Sequence, residues 1–245
     1  MPFSTNRMKE EMQRLALERV TEISKEFTEG FKFLENYPKS VTFFGSNQTK
    51  ESEPYYQSAR TLCGRIVKEL GYSVVSGGGP GIMEAADRGA YEAGGTSLGL
   101  LIKLPNTQPV NAYISKSISF YYFFVRKVCL SFGAEVFIFY PGGLGTLDEF
   151  FEIITLMQTK KILNVPVICV GSEYWNKLKD FMANEMLAKG MVTPEDMNLF
   201  TITDDHDEII DIIKRAPVRE SVPFTGLQPA IDAAVETLSD KTVDE

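Results

Sequence analysis

Two glycine-rich runs in this chain have the residue types needed to hold an anion. The first is Ser76-Gly77-Gly78-Gly79-Pro80-Gly81-Ile82-Met83-Glu84-Ala85-Ala86, and the second is Pro141-Gly142-Gly143-Leu144-Gly145-Thr146-Leu147-Asp148-Glu149. Each follows a short apolar run and precedes a helical pattern. Glycine lets the backbone turn sharply and approach a ligand, and the unpaired N–H groups of the following helix start attract negative charge. Two such loops at strand ends can close on one phosphorylated ligand. Pro80, with its fixed φ and no N–H, suits a first helical position. The dinucleotide fingerprint is absent from the first run, because the third glycine of G-x-G-x-x-G would fall on Ile82 or on Glu84, and no G-x-x-x-x-G-K-[ST] occurs. Thr146 and Glu149 also satisfy a capping box, the structural alternative for this pair. A capping box, however, needs neither the preceding Pro-Gly-Gly nor Gly145. In Tyr121-Tyr122-Phe123-Phe124-Val125-Arg126-Lys127-Val128 two adjacent cations interrupt an apolar helical stretch. A snorkelling, solvated face is their ordinary reading. Beside a phosphate loop, a fork-shaped guanidinium is the expected complement.

The rest of the chain must position these residues. Apolar residues at Met12, Ala16, Val20, Ile23, Phe27, Phe31 and Leu34 recur every three or four positions, predicting an amphipathic helix that ends near Asn36-Tyr37-Pro38. Its apolar face must cover either the main core or a partner subunit. Strands are expected at Val41–Phe44, Ser73–Ser76, Ser97–Ile102, Glu135–Tyr140 and Val165–Val170, with a weaker one at Leu199–Ile202. Helical patterns lie between them at Glu53–Leu70, Gly81–Ala93, Phe120–Phe132, Leu147–Gln158 and Tyr174–Ala188. Consecutive apolar residues such as Val136-Phe137-Ile138-Phe139 are buried on both faces, as in a parallel sheet covered by helices on both sides. The fold class is therefore α/β: a doubly wound, Rossmann-like parallel sheet in a single domain. Ligands of such sheets bind beyond the carboxyl ends of the strands. We divide the chain into an N-terminal helical extension (1–38), a nucleotide-binding catalytic domain (39–215) and a C-terminal extension (216–245), where Ile231, Val235 and Leu238 suggest one more docked helix.

Composition narrows the chemistry. The 245 residues include one histidine, His206, set in Asp204-Asp205-His206-Asp207-Glu208 as a solvated loop or helix-start residue. A multi-histidine metal site is thereby excluded, and a Ser/His triad lacks its oriented base. Cys63, Cys129 and Cys169 are odd in number and never in C-x-x-C, so they read as small buried hydrophobes in a reducing cytoplasm. No segment approaches the roughly 18 apolar residues that span a bilayer, and no signal-type apolar region opens the chain. The net charge of −8 argues against nucleic acid, which requires a clustered basic footprint.

The run Pro141–Glu149, the Arg126-Lys127 pair upstream and the Gly77–Gly79 loop together resemble the LOG ("Lonely guy") family, cytokinin-activating nucleotide phosphoribohydrolases once labelled possible lysine decarboxylases. The resemblance covers roughly Lys39 to Arg215, with Gly45-Ser46 after the first strand fitting as well. It implies hydrolysis of the N-glycosidic bond of a nucleoside 5′-monophosphate to free base and ribose 5-phosphate, without metal or organic cofactor. Carried over by residue, Gly142, Gly143, Gly145 and Thr146 hold the 5′-phosphate, Glu149 is the catalytic carboxylate and Arg126 the second essential group. Lys127, Gly45, Ser46, Gly77, Gly78 and Gly79 join them as substrate or phosphate contacts. The glycosidic chemistry agrees: an oxocarbenium-like state is stabilised by one carboxylate, which can also activate a water. Arg126 serves either the phosphate or the leaving base. The loop reads Gly-Pro-Gly-Ile-Met-Glu-Ala where plant-type proteins carry Gly-Leu-Met-Gly, so the likeness is to the longer bacterial branch and adds Glu84 to the site. Leu104-Pro105-Asn106-Thr107-Gln108 holds no carboxylate where plant-type members place a substrate-binding Glu, so adenine, cytokinin-type and pyrimidine bases all stay open. The resemblance further implies a homodimer or larger assembly with the site near the subunit boundary.

Two rivals stand beside this reading. A non-catalytic nucleotide or molybdenum-cofactor carrier of the same fold would need the phosphate loop but not the Glu149–Arg126 pair. A pyridoxal-phosphate decarboxylase would need a Schiff-base lysine and an acidic partner for the ring nitrogen. Lys127 is the only tempting lysine, and nothing else supports that chemistry.

Overall fold

Seven parallel strands form one sheet in the order β4-β3-β2-β1-β5-β6-β7 in the computed structural model, which describes residues 5–103 and 109–216. The strands are β1 (Ser40–Phe44), β2 (Ser73–Ser76), β3 (Ser97–Ile102), β4 (Lys116–Phe120), β5 (Val136–Phe139), β6 (Val167–Cys169) and β7 (Thr201–Ile202). The helices are α1 (Thr5–Glu35), α2 (Pro54–Arg65), α3 (Ile82–Glu92), α4 (Phe123–Phe132), α5 (Leu144–Gln158), α6 (Ser172–Phe181) and α7 (His206–Arg215). Single π-turns, Ile66–Leu70 and Met182–Leu187, prolong α2 and α6.

Both faces of the sheet are covered, which explains the unbroken apolar runs. Along β5, Val136 and Ile138 point into one core with Ala59, Ile82 and Ile209 of α2, α3 and α7. Phe137 and Phe139 point into the other, with Val125, Phe150 and Trp175 of α4, α5 and α6. The doubly wound architecture is as expected. Strand order reverses beside β1, whose neighbours are β2 on one side and β5 on the other. Chains leaving β1 and β5 turn to opposite faces, and the crevice between them is where such sheets take ligands.

Several elements differ from expectation. β4 has no counterpart among the expected strands, and the helix expected from Phe120 begins at Phe123 because Phe120 closes β4. This edge strand reads Lys-Ser-Ile-Ser-Phe, half polar, and so lacks the apolar run that marks its neighbours. α7 likewise has no counterpart among the expected helices, although its signals are present: Asp205 caps it through a 2.8 Å bond from Asp207 N, and Ile209, Ile210 and Ile213 are buried. His206 thus opens a helix, but it is half-buried rather than solvated, with Nε2 2.9 Å from Ser58 Oγ. Pro80 does not occupy the first helical position. Gly81 is the N-cap of α3 at φ +73°, and a Cβ there would lie 2.3 Å from Ser46 O, so only glycine fits this turn.

The second half of α1 covers the core through Phe27, Gly30 and Leu34, which pack near Phe124, Cys129 and Gly133. Its first half leaves Met12, Leu15, Leu17 and Val20 exposed in the single chain. No helix among the described residues is long and apolar enough to cross a membrane. The expected C-terminal helix with Ile231, Val235 and Leu238, and the stretch Leu104–Gln108, lie outside the described residues.

Candidate active site

Three loops meet at the carboxyl ends of β1, β2 and β5. Ser46 N donates to Pro141 O at 3.0 Å, and Ile82 N donates to Ser46 O at 3.0 Å, so the β1 loop is tied to both glycine loops. A cavity of about 530 Å³ opens beside them. Its lining includes Gly45, Ser46, Gly77, Arg126, Gly143, Gly145, Thr146 and Glu149, residues separated by up to about a hundred positions in sequence.

The second loop builds the floor. Helix α5 starts at Leu144 with Gly143 as N-cap, three residues earlier than expected. Thr146 and Glu149 therefore lie inside the helix, three apart on one face, and the capping-box alternative does not apply. The first-turn amides of α5 are left to meet a ligand, with the positive end of the helix dipole behind them. Gly142 stands just behind the lining. A Cβ there would strike Thr146 Oγ1, and its carbonyl accepts from Tyr174 Oη at 2.8 Å.

Glu149 is the unusual carboxylate. One of its oxygens, Oε2, is buried with no hydrogen-bond partner. Burial pushes its carboxyl up to about 7, with Glu152 and Asp148 adding to the rise while Lys127 and Arg126 oppose it. A carboxylate kept short of partners in a cleft is free to act on a bound molecule.

Arg126 reaches the cavity from the first half of α4. Its Nε donates to Leu100 O at 2.7 Å, and its Nη2 lies so close to Gly77 that a Cβ there would be 2.3 Å away. Burial pulls the guanidinium below its usual range, and the Glu149 charge works in the other direction. No ion pair within 4.0 Å joins Arg126 to Glu149 among the described residues. The two groups face one cavity as separate charges.

The remaining predicted residues are distributed as follows. Lys127 does not line the cavity, its Nζ lying 2.8 Å from Asp148 Oδ2 and 2.5 Å from Glu152 Oε2. Glu84 accepts a 2.9 Å bond from Tyr56 Oη and does not line the cavity. Gly78 and Gly79 also stand behind the lining, where their carbonyls accept from Asn111 N and Asn111 Nδ2, both at 3.0 Å. Sequence reasoning missed Asn47 and Gln48, the polar residues of the β1 loop, and the apolar wall of Met83, Ile102 and Phe123. Asn47 and Gln48 directly follow Gly45-Ser46, and that adjacency was the available signal. No group of three His, Cys, Asp or Glu residues able to hold a metal occurs among the described residues.

Comparison with known proteins identifies the family. A family model described as "Possible lysine decarboxylase" matches residues 83–213, more than half of the chain, including Arg126, Gly142, Thr146 and Glu149. The cytokinin riboside 5′-monophosphate phosphoribohydrolase LOG5 of Arabidopsis thaliana is 26% identical over 187 residues, covering 75% of this chain and 81% of that protein. A cytokinin riboside 5′-monophosphate phosphoribohydrolase from Rhodococcoides fascians is 26% identical over 181 residues, covering 72% of this chain and 90% of its own length. Among solved structures, the molybdenum cofactor carrier protein of Chlamydomonas reinhardtii superposes with a TM-score of 0.54 at 22% identity, covering 73% of this chain and 97% of that one. At that identity the likeness concerns the fold alone.

Proposed function

Because this chain belongs to the LOG family, the family described as possible lysine decarboxylase, we propose that it is a nucleoside 5′-monophosphate phosphoribohydrolase. The observation that carries the reading is Glu149 Oε2, buried and unpartnered beside a helix start and a fixed guanidinium in one cavity. The substrate phosphate is held by the amides at Gly143, Gly145 and Thr146, with Ser46 and Gly45 closing the other side. The bond between C1′ and the base nitrogen breaks with its electron pair leaving on the base. Glu149, ionised, stabilises the oxocarbenium-like sugar, takes a proton from the water that adds to C1′ and returns it, so that the departing base nitrogen leaves protonated and the carboxylate is regenerated. Arg126 supplies the fixed positive charge that the anionic substrate meets in a net acidic protein. Products are free base and ribose 5-phosphate, and no cofactor takes part.

The cavity wall of Met83, Ile102 and Phe123 is suited to a planar apolar base. Adenine, cytokinin-type and pyrimidine monophosphates are all to be tried. We assign the protein to the cytoplasm and expect a homodimer or larger assembly. Phe123 and Leu144, both exposed at the cavity mouth, support a subunit boundary near the site, and the exposed apolar residues in the first half of α1 support an assembly. The decarboxylase reading loses its lysine, since Lys127 is committed to Asp148 and Glu152.

The decisive experiment is release of free base by purified protein from a panel of nucleoside monophosphates, compared by kcat/KM. Base release from at least one is expected. A panel that yields none, with tight nucleotide binding retained, replaces the hydrolase by the carrier reading.

A further inference from the structure

Behind the Gly77–Gly79 loop lies a polar cluster that the proposed reaction does not use. Asp87, within α3, is fully buried among Ala85, Ala86 and Ala90 of the core. Its Oδ2 accepts two bonds of 2.7 Å, from Ser76 Oγ and from Asn111 Nδ2, whereas its Oδ1 is buried with no partner. A carboxylate in that setting is costly, and burial pushes it up to about 7. A packing role alone calls for an apolar residue here.

The bonds leaving the cluster show what the carboxylate organises. Ser76 Oγ, its proton directed at Asp87, accepts from Gly78 N at 2.9 Å. Asn111 Nδ2, also held by Asp87, donates to Gly79 O at 3.0 Å, and Asn111 N donates to Gly78 O at 3.0 Å. One oxygen of Asp87 thus sets the orientation of both side chains that grip the loop. Gly77 lies between Ser76 and Gly78, and it is the residue against which Arg126 Nη2 rests.

We propose that Asp87 is a positioning residue for Arg126. Through Ser76 and Asn111 it fixes the Gly77–Gly79 loop, and the loop fixes the guanidinium, while Asp87 itself stays out of the cavity. The proposal rests on the hydrolase reading only for its kinetic consequence, a kcat that falls more than KM rises.

Three variants separate this role from packing. Asp87→Leu removes both accepted bonds and keeps the branching of the side chain, with bulkier methyl groups in place of the oxygens, and Ser76→Ala removes the acceptor of Gly78 N with a minimal change of shape. Asp87→Asn keeps an acceptor at the Oδ2 position and is the conservative rescue. The primary readout is the Arg126 Nε–H signal in a nitrogen-15 NMR spectrum, assigned by its loss in Arg126→Lys and protected from exchange by its bond to Leu100 O. Exchange at least about tenfold faster is expected in Asp87→Leu and Ser76→Ala, with near wild-type exchange in Asp87→Asn. AMP affinity, measured by calorimetry, should weaken by about tenfold or more in the same two variants. Wild-type exchange and wild-type AMP affinity in folded Asp87→Leu overturn the proposal. If that variant does not fold, the same outcome in Ser76→Ala overturns it. The exchange readout is independent of turnover, so a wild-type protein that releases no base defeats the hydrolase reading alone.

Discussion

Gly77 meets the Arg126 guanidinium with a bare Cα: a Cβ at that position would lie 2.3 Å from Arg126 Nη2 and 2.8 Å from Met83 Sδ. The glycine leaves room for a cation at the strand end of β2. Gly77→Ala is therefore expected to displace Arg126 while leaving the fold intact. A misplacement of about 1 Å in such a group lowers kcat/KM by roughly a hundredfold. Thermal unfolding should change little, and a Gly77→Ala enzyme with wild-type kcat/KM would remove Arg126 from the site.

Glu149→Gln is expected to lower base release by about 10²–10⁴-fold, the usual contribution of a positioned proton-transfer group. Nucleotide binding should stay measurable by calorimetry, because the phosphate is held by backbone amides. Full rate in this variant is incompatible with the mechanism. Arg126→Ala should likewise lower kcat/KM by more than its loss of stability explains.

The Glu149 carboxyl titrates near 7 and must be ionised to act. In the free enzyme kcat/KM should therefore rise with pH through an apparent value near 7. The substrate phosphate titrates at about 6, roughly a unit lower, and the two limbs are separable in a profile taken from pH 5 to 9. Activity that falls across this range would make Glu149 a proton donor instead.

Lys127 is, after burial, the strongest influence on Glu149, and it acts by favouring the ionised form. Lys127→Met frees Asp148 and Glu152 from their shared cation and leaves three carboxylates close together on α5. The acidic limb of the profile should move to higher pH, while activity at pH 9 approaches the wild-type value. A loss of phosphate affinity without a shifted limb would instead make Lys127 a direct ligand.

Glu149 and Asp87 have folded-state values near 7, above those of the unfolded chain. Their protonated forms favour the folded state, so this stabilisation is fully present below about pH 4 and is lost as pH rises to about 7. Replacing Glu149 by Gln should raise stability at pH 8 relative to pH 5 by on the order of 1–3 kcal/mol, as read by denaturant unfolding at the two pH values. An unchanged difference between the two pH values would show that Glu149 is not buried as described.

Much of this was legible in the chain. Apolar runs alternating with helical patterns predict a parallel sheet, since only strands covered on both faces can be apolar at consecutive positions. Gly77–Gly79 and Gly142–Thr146 announce the loops, because tight turns and close backbone approach leave few other residue types. Other features required the folded chain. Arg126 and Lys127 are adjacent in sequence, yet neighbouring residues on a helix point about 100° apart, so one enters the cavity and the other pairs with α5. β4 was hidden because an edge strand needs no apolar run. Asp87 and Asn111, 24 positions apart, meet only because α3 and the segment before β4 pack against the same glycine loop. The sequence by itself determined which groups can do chemistry and at which strand ends they stand. The tertiary structure decided which of them face one another, because strand order and helix rotation are set by long-range packing that no local pattern encodes.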